Sequence, residues 1–158
     1  MIINGREVTK ANEDFLVIPR GADEPIVFQG SAIKLFDEFH ALCKPPEAPV
    51  DLTRSGPVAN ENDKTYLNRM DNYLQQKLGW MVMKTLEPSK IEWSEAIDME
   101  KCSTWTKWAD ELGEAGFTAA EQQRIMTFVL EVNSLSEKKL EEARADFLHG
   151  RAQAQQAK

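Results

Sequence analysis

Residues 105–132 read WTKWADELGEAGFTAAEQQRIMTFVLEV and carry the clearest helical signals of the chain. Trp105, Trp108 and Leu112 recur at i, i+3 and i+7, which is the spacing of one helix face. The stretch therefore predicts one helix with an apolar stripe, followed after a turn by a second helix.

The turn between these two helices is specified by local residues. Gly116 is expected just past the end of the first helix, because glycine adopts the left-handed backbone without a Cβ penalty. Phe117 would then fall back on Leu112, which is the hydrophobic contact of a Schellman ending. Thr118 is placed to cap the second helix, and Glu121 three residues later completes a capping box.

The chain after this turn predicts two helical segments, the second helix named above and one more after it. Asn133 breaks the stripe of the first, and Ser134 with Glu137 forms a second candidate capping box. After Gly150 the tail lacks an apolar stripe and is expected to fray. The inward residues predicted along these two segments are Ile125, Phe128, Val129, Val132, Leu140, Ala143 and Phe147.

Upstream, Asp63 opens the longest predicted helix, which runs to about Leu86 and is ended by Glu87-Pro88-Ser89. Residues 91–97 alternate too briefly to decide between strand and helix. The predicted broad face of the long helix consists of Tyr66, Leu67, Met70, Tyr73, Leu74, Lys77, Leu78, Met81, Val82 and Thr85.

The first 30 residues predict a small antiparallel sheet of two to four strands. Asn4-Gly5 favours the left-handed backbone of a tight hairpin turn. Two short apolar runs, 15–18 and 26–28, are rich in β-branched and aromatic residues. Pro19 and Pro25 bracket the segment between them, which indicates a turn.

Helical spacing begins at Ser31, which is placed as a cap, and continues to Cys43, where Lys44-Pro45-Pro46 stops the helix. Residues 44–62 hold four of the seven prolines and no sustained apolar period. This segment is predicted to be a proline-rich linker, although its length leaves a partner-binding arm open.

The expected fold class is α+β and mainly α: a small N-terminal antiparallel β element followed by about five helices, the last three forming a compact bundle. The predicted divisions are a β element with the first helix (1–43), the linker or arm (44–62), a helical domain (63–150) and a frayed tail (151–158).

Composition narrows the class of function. The chain has 158 residues, 42% of them hydrophobic, which suffices for one core. Its 26 acidic and 19 basic residues give a net charge of −7. This balance argues against nucleic-acid binding and against docking on anionic membranes. No apolar run is long enough to span a bilayer, and the N-terminus lacks the pattern of a secretory signal peptide. The two cysteines are expected to be free thiols, and the protein is expected to be cytoplasmic.

No catalytic or metal constellation stands out, so no catalytic residue, metal ligand or cofactor is predicted. His40 and Cys43 lie at i, i+3, but nothing near them supplies the other ligands of a zinc site, so a half-buried core pair is the preferred interpretation. His149 is expected in the last turn of the final helix, where its charge suits the helix dipole. The chain is therefore interpreted as a non-enzyme.

The four tryptophans are the candidate partner-binding residues. Aromatic side chains dominate both cores and interfaces, so core packing is the default, and exposure of one or two would favour a hydrophobic partner groove. Residues 87–121 carry a net charge of −6, a surface that could also receive a basic helix. The predicted binding residues are Trp80, Trp93, Trp105, Trp108 and Phe128.

Distinctive patterns of packing residues are spread over most of the chain outside 50–62. They are Phe36-Asp37-Glu38-Phe39, Cys43-x-Pro45-Pro46, Trp80-Met81-Val82-x-x-x-Leu86-Glu87, Trp105-x-x-Trp108-x-x-Glu111-Leu112-x-x-Ala115-Gly116-Phe117, Glu121-x-x-Arg124-Ile125, Val132-Asn133-Ser134-Leu135 and Ala143-x-x-x-Phe147-Leu148. Together with the short β region, these patterns resemble a family of small tailed-bacteriophage proteins that are encoded among the tail genes and described as tail assembly chaperones or minor tail proteins.

The resemblance implies a non-enzymatic assembly role in the cytoplasm of the infected bacterium. Such chaperones bind the long helical tape-measure protein and cover its apolar surface while tail-tube subunits polymerise around it. The alternative is a structural virion protein, such as a tail-completion, neck or minor tail component, which stays in the particle. A homo-oligomer is left open by the sequence.

Overall fold

The computed structural model describes residues 1–134 and 136–156. The protein is mixed α/β, 49% helical and 19% strand, with small antiparallel sheets. The described part of the chain contains the helices α1 (Asp37–Leu42), α2 (Lys64–Thr85), α3 (Trp108–Glu114), α4 (Ala119–Val132) and α5 (Glu137–Gln156). Its strands are β1 (Ile2–Ile3), β2 (Arg6–Glu7), β3 (Glu13–Arg20), β4 (Asp23–Ser31), β5 (Val50–Thr53) and β6 (Gly56–Ala59).

The chain folds into two compact units that interleave in sequence. The first contains residues 1–33, 85–90 and the described residues from 118 onward. The second contains residues 34–84 and 91–117. Each of the predicted divisions 1–43 and 63–150 has residues in both units, and 44–62 lies within the second, because contacts between distant segments, rather than chain order, define each unit. Since α3 belongs to the second unit and α4 and α5 to the first, a compact bundle of the last three helices stays a prediction.

The two N-terminal hairpins have the predicted antiparallel pairing. β1 pairs with β2 across Asn4-Gly5, and both turn residues have positive φ, 50° and 78°. β3 pairs with β4, so that Val17 faces Val27. The connecting turn is tighter than predicted, because Pro19 and Pro25 lie within the strands and only residues 21 and 22 lie between them.

The helix predicted from Ser31 to Cys43 is wrong in its first half. β4 continues through Ser31, which therefore caps no helix, and α1 spans only Asp37–Leu42. Two distant groups account for the extended backbone: the N–H of Ala32 donates to the Asn12 carbonyl (2.7 Å), and the N–H of Ile33 donates to Asn133 Oδ1 (2.8 Å). The helix does end at Cys43, just before the prolines.

The segment 44–62 is not a plain linker, because it contains a hairpin. β5 pairs with β6 from Val50 opposite Ala59 to Thr53 opposite Gly56. The Thr53 hydroxyl donates to the Gly56 carbonyl across the turn (2.7 Å). A two-stranded ladder consists of edge strands, which tolerate a proline such as Pro57.

Helix α2 begins and ends where the sequence predicts. The N–H of Tyr66 donates to Asp63 Oδ1 (2.8 Å), which caps the first turn. After Thr85 the chain enters a short 3-10 helix, Glu87–Ser89, and then Lys90 in the left-handed conformation. The C-terminal half of the helix is buried on more sides than the predicted face, since Gly79, Trp80, Met81, Val82 and Met83 are all buried. The undecided stretch 91–97 is neither strand nor helix.

The predicted ending of the helix in the 105–116 region is confirmed. A 3-10 helix, Cys102–Lys107, leads into α3. The N–H of Phe117 donates to the Leu112 carbonyl (2.9 Å) and the N–H of Gly116 to the Gly113 carbonyl (3.0 Å), which is the Schellman pattern. Gly116 has the required positive φ of 93°.

The start of α4 is also confirmed, and its apolar stripe forms the core of the first unit. Thr118 and Glu121 make the reciprocal capping box. Asn133 ends the helix, and its side chain donates to Thr85 Oγ1 (2.8 Å) and to the Val129 carbonyl (2.8 Å). The buried stripe consists of Ile125, Phe128, Val129 and Val132.

The predictions for α5 are wrong in three respects. Ser134 lies outside the helix with a positive φ, and Ser136 is at the cap position before Glu137, so no Ser134–Glu137 capping box forms. The helix passes through Gly150 and reaches Gln156, while residues 157 and 158 of the predicted tail lie outside the described residues. The predicted inward residues are exposed: Leu140, Ala143 and Phe147.

The capping box of α4 makes the stability of the protein depend on pH. The pKa of the Glu121 carboxyl is lowered, first because the Thr118 backbone N–H donates to it, and further by the Thr118 hydroxyl and Arg20. Arg20 Nη1 lies 2.6 Å from Glu121 Oε1. A carboxyl whose pKa is lower in the folded state stabilises the fold above its unfolded pKa, and this contribution is lost as pH falls through the folded pKa.

We therefore expect the substitution Glu121→Gln to lower the free energy of unfolding at neutral pH, by an amount that shrinks as the pH falls through the glutamate range. Urea unfolding of both proteins across that range measures the difference. Glu114→Gln is the control, because it removes the same charge from an exposed position in α3. A difference between Glu121→Gln and the unsubstituted protein that does not change with pH would contradict the expectation.

Candidate functional site

The predicted tryptophans form part of an aromatic core in the second unit. Trp80 and Trp105 are buried, with relative exposures of 2% and 0%. Their rings flank Phe39, with centroid distances of 5.6 Å and 5.9 Å. The indole N–H of Trp105 donates to the Asp98 carbonyl (3.1 Å), so its polar atom is satisfied inside the fold.

Burial assigns most of the predicted binding residues to packing. Trp80 and Trp105 present no surface to a partner, so the predicted binding role of these two side chains does not agree with their position. Phe128 is 5% exposed and packs in the first unit, where its Cε1 would lie 2.8 Å from a Cβ placed on Gly30, but it also lines the groove described below. Trp93 and Trp108 are half-buried, and a binding role for them stays a prediction.

The expected His40 and Cys43 pair is only partly correct. Cys43 is buried, but His40 is exposed. Among the described residues, no group of three or more histidine, cysteine, aspartate or glutamate side chains could hold a metal ion. His149 is not in the last turn of α5; it lies one turn before Gln153, whose Nε2 is 2.9 Å from His149 Nε2.

An exposed apolar face that the sequence interpretation missed lies on the hairpin of β3 and β4. Phe15, Val17 and Val27 are 62%, 54% and 52% exposed. Val17 and Val27 are cross-strand partners, and Phe15 is two residues from Val17, so all three lie on one side of the hairpin. We call these three residues the outer face. The inward side carries Ile18 and Phe28, which are buried.

A groove of about 380 Å³ adjoins the outer face within the first unit. Phe15 contributes to both the groove and the outer face. The rim has both signs of charge, with Asp14 and Glu131 acidic and Arg124 and Lys139 basic. The remaining lining residues are Leu16, Gln123, Thr127 and Phe128.

Two further elements expose large apolar side chains. On the hairpin of β5 and β6, Leu52 is 90% exposed, and Val50 and Val58 are more than half exposed. On α5, Phe147 and Leu148 are 60% and 53% exposed. Exposed apolar side chains that cluster on one element are candidate contact surfaces for another protein or a second copy of the chain.

Comparison with known proteins adds no assignment: no family model, curated protein or solved structure matches the chain. No helix in the described part of the chain is long and apolar enough to cross a lipid bilayer.

Proposed function

We propose that this protein is a non-enzymatic phage tail assembly chaperone that binds the tape-measure protein during tail morphogenesis, in the cytoplasm of the infected bacterium. The observation that carries the proposal is the outer face, where Phe15, Val17 and Val27 are each more than half exposed. The sequence patterns that resemble the tail chaperone family indicate which kind of partner to expect.

The surface beside the outer face suits an amphipathic helix. The apolar side of such a helix would cover Phe15, Val17 and Val27, and burial of these side chains would supply affinity. The mixed charges at the groove rim, among them Arg124 and Glu131, would orient the polar side of the helix. A partner held in this way is released without breaking a covalent bond, as a transient chaperone requires.

The alternative is a structural virion protein that is retained as a tail-completion, neck or minor tail component. The hairpin of β5 and β6 favours it, because Leu52, Val50 and Val58 project from a two-stranded element as an arm would. Such an arm gains its stability by packing on a neighbouring subunit, since an isolated hairpin is only marginally stable in water.

Mass spectrometry of infected cells distinguishes these two functions. The tagged chain is purified from the lysate, and the proteins of purified virions are identified in parallel. The chaperone function predicts a long, helix-rich phage protein in the lysate sample and no copies of this chain in virions. A fixed, ring-like copy number in virions would overturn it and favour the structural function.

A further inference from the structure

Helix α1 and the 3-10 helix Cys102–Lys107 touch at two successive levels in the second unit. At the first level, the rings of Phe39 and Trp105 lie 5.9 Å apart, and both residues are fully buried. Cys43 follows Phe39 by four residues, and its N–H still donates to the Phe39 carbonyl (2.8 Å). Cys102 precedes Trp105 by three residues. Positions i, i+4 in an α-helical turn and i, i+3 in a 3-10 helix share a face, so the second level brings the two cysteines together.

The two thiols are near enough to interact electrostatically, and they differ in accessibility. Cys43 is 3% exposed, and its Sγ lies 3.2 Å from Gln76 Oε1, to which the thiol donates. Burial raises the pKa of Cys43 to about 12, and the contact with Cys102 adds to this effect. Cys102 is only half-buried, so an oxidant in solution reaches it first.

We propose that Cys43 and Cys102 form a modification site at which a low-molecular-weight disulfide of the glutathione type converts the two free thiols into an intramolecular disulfide. The Cys102 thiolate attacks one sulfur of the small disulfide, forms a mixed disulfide and releases one small thiol. The Cys43 sulfur then loses its proton to solvent, attacks the Cys102 sulfur and displaces the second small thiol. Two protein thiols are oxidised, and one small disulfide is reduced to two thiols.

The new bond would join the end of α1 to the start of the 3-10 helix. The segment between them contains the hairpin of β5 and β6 and the whole of α2, so the bond closes a long loop. Closing a long loop restricts the unfolded chain and stabilises the folded one. The thiols stay reduced in a reducing cytoplasm, and the second unit is locked when the protein meets an oxidising medium. This site does not depend on the proposed function.

The test incubates the full-length protein with oxidised glutathione, alkylates the remaining free thiols and measures intact and peptide masses. We expect a product lighter by two hydrogen atoms, with the Cys43 and Cys102 peptides linked. We also expect a rise in Tm on the order of 10 °C, from the loop-closure entropy, that a reductant reverses.

Two single variants separate the steps. Cys43→Ala should hold glutathione on Cys102 as a stable mixed disulfide, whereas Cys102→Ala should take up no glutathione while folded. Circular dichroism checks that both variants fold. If a variant does not fold, the masses measured for the unsubstituted protein alone test the proposal. A stable glutathione adduct on Cys102 of the unsubstituted protein, or disulfide-linked dimers in place of the internal bond, would overturn the proposal.

Discussion

Replacing Gly79 with alanine is expected to destabilise the protein by at least about 3 kcal/mol, or to prevent folding of the second unit. Gly79 lies in α2, directly against the backbone carbonyl of Trp105, which a Cβ would overlap. The Trp108 ring would also lie 3.2 Å from that Cβ. Moving either neighbour would cost free energy, because one is backbone and the other is a half-buried ring. Urea unfolding, followed by tryptophan fluorescence, measures the loss.

The matched control is Gly150→Ala in α5. Nothing lies within 4 Å of the Cβ that alanine would add there. Alanine in an open helical position stabilises by about 0.5–1 kcal/mol relative to glycine. Opposite signs for the two substitutions would show that contact with Trp105, rather than helix propensity, requires glycine at position 79. A neutral or stabilising effect of Gly79→Ala would contradict the packing described for the second unit.

The second large effect is expected for Trp105→Ala, which should cost about 3–5 kcal/mol. The side chain is fully buried, its ring contacts Phe39, and its indole N–H is bonded to the Asp98 carbonyl. Alanine removes the buried apolar surface, the ring contact and the hydrogen bond, and it leaves a cavity. Thermal and urea unfolding of the variant measure the cost.

Trp105→Phe is the control for this substitution. It keeps an aromatic ring near Phe39 and removes the N–H donor, while Thr104 Oγ1 still donates to the Asp98 carbonyl (3.0 Å). The expected cost is therefore smaller, about 1–2 kcal/mol. Equal costs for the two variants would show that the hydrogen bond, and not the buried ring, supplies most of the stabilisation.

The parts of the fold that local sequence specifies could be predicted. The Schellman ending at Gly116 and the capping box of Thr118 and Glu121 each depend on residues within six positions of one another. The Asn4-Gly5 hairpin is local in the same sense. Such signals predict a boundary without knowledge of the rest of the chain.

The wrong predictions concern features that depend on residues far away in the sequence. The helical spacing that ends at Cys43 begins at residue 31, but Asn12 and Asn133 hold the backbone of residues 32 and 33 extended. Asn133 lies 100 positions from Ile33. In α5 the spacing of Leu140 and Phe147 predicts an apolar face, and both residues are exposed. Spacing alone does not indicate whether another part of the chain covers such a face.

The candidate site was missed for a related reason. The run from Phe15 to Ile18 is apolar at every position, so it predicts a strand without indicating which side is covered. Strand alternation separates Phe15 and Val17 from Ile18, but only the packing of β3 against α4 shows that the Ile18 side is the buried one. The tryptophans attracted the binding prediction because large aromatic residues serve cores and interfaces alike, and burial assigns Trp80 and Trp105 to the core.

Repeating the lysate purification with the double variant Val17→Thr, Val27→Thr tests whether the outer face binds a tail protein. Both positions are exposed and threonine suits a strand, so the hairpin is retained while its apolar surface is reduced. Leu52→Thr on the hairpin of β5 and β6 is the matched control, because it removes an even more exposed apolar side chain elsewhere. We expect the double variant to lose most of the co-purifying helix-rich phage protein and Leu52→Thr to keep it. Full recovery with the double variant would contradict the account, and loss with Leu52→Thr alone would move the binding surface to the hairpin of β5 and β6.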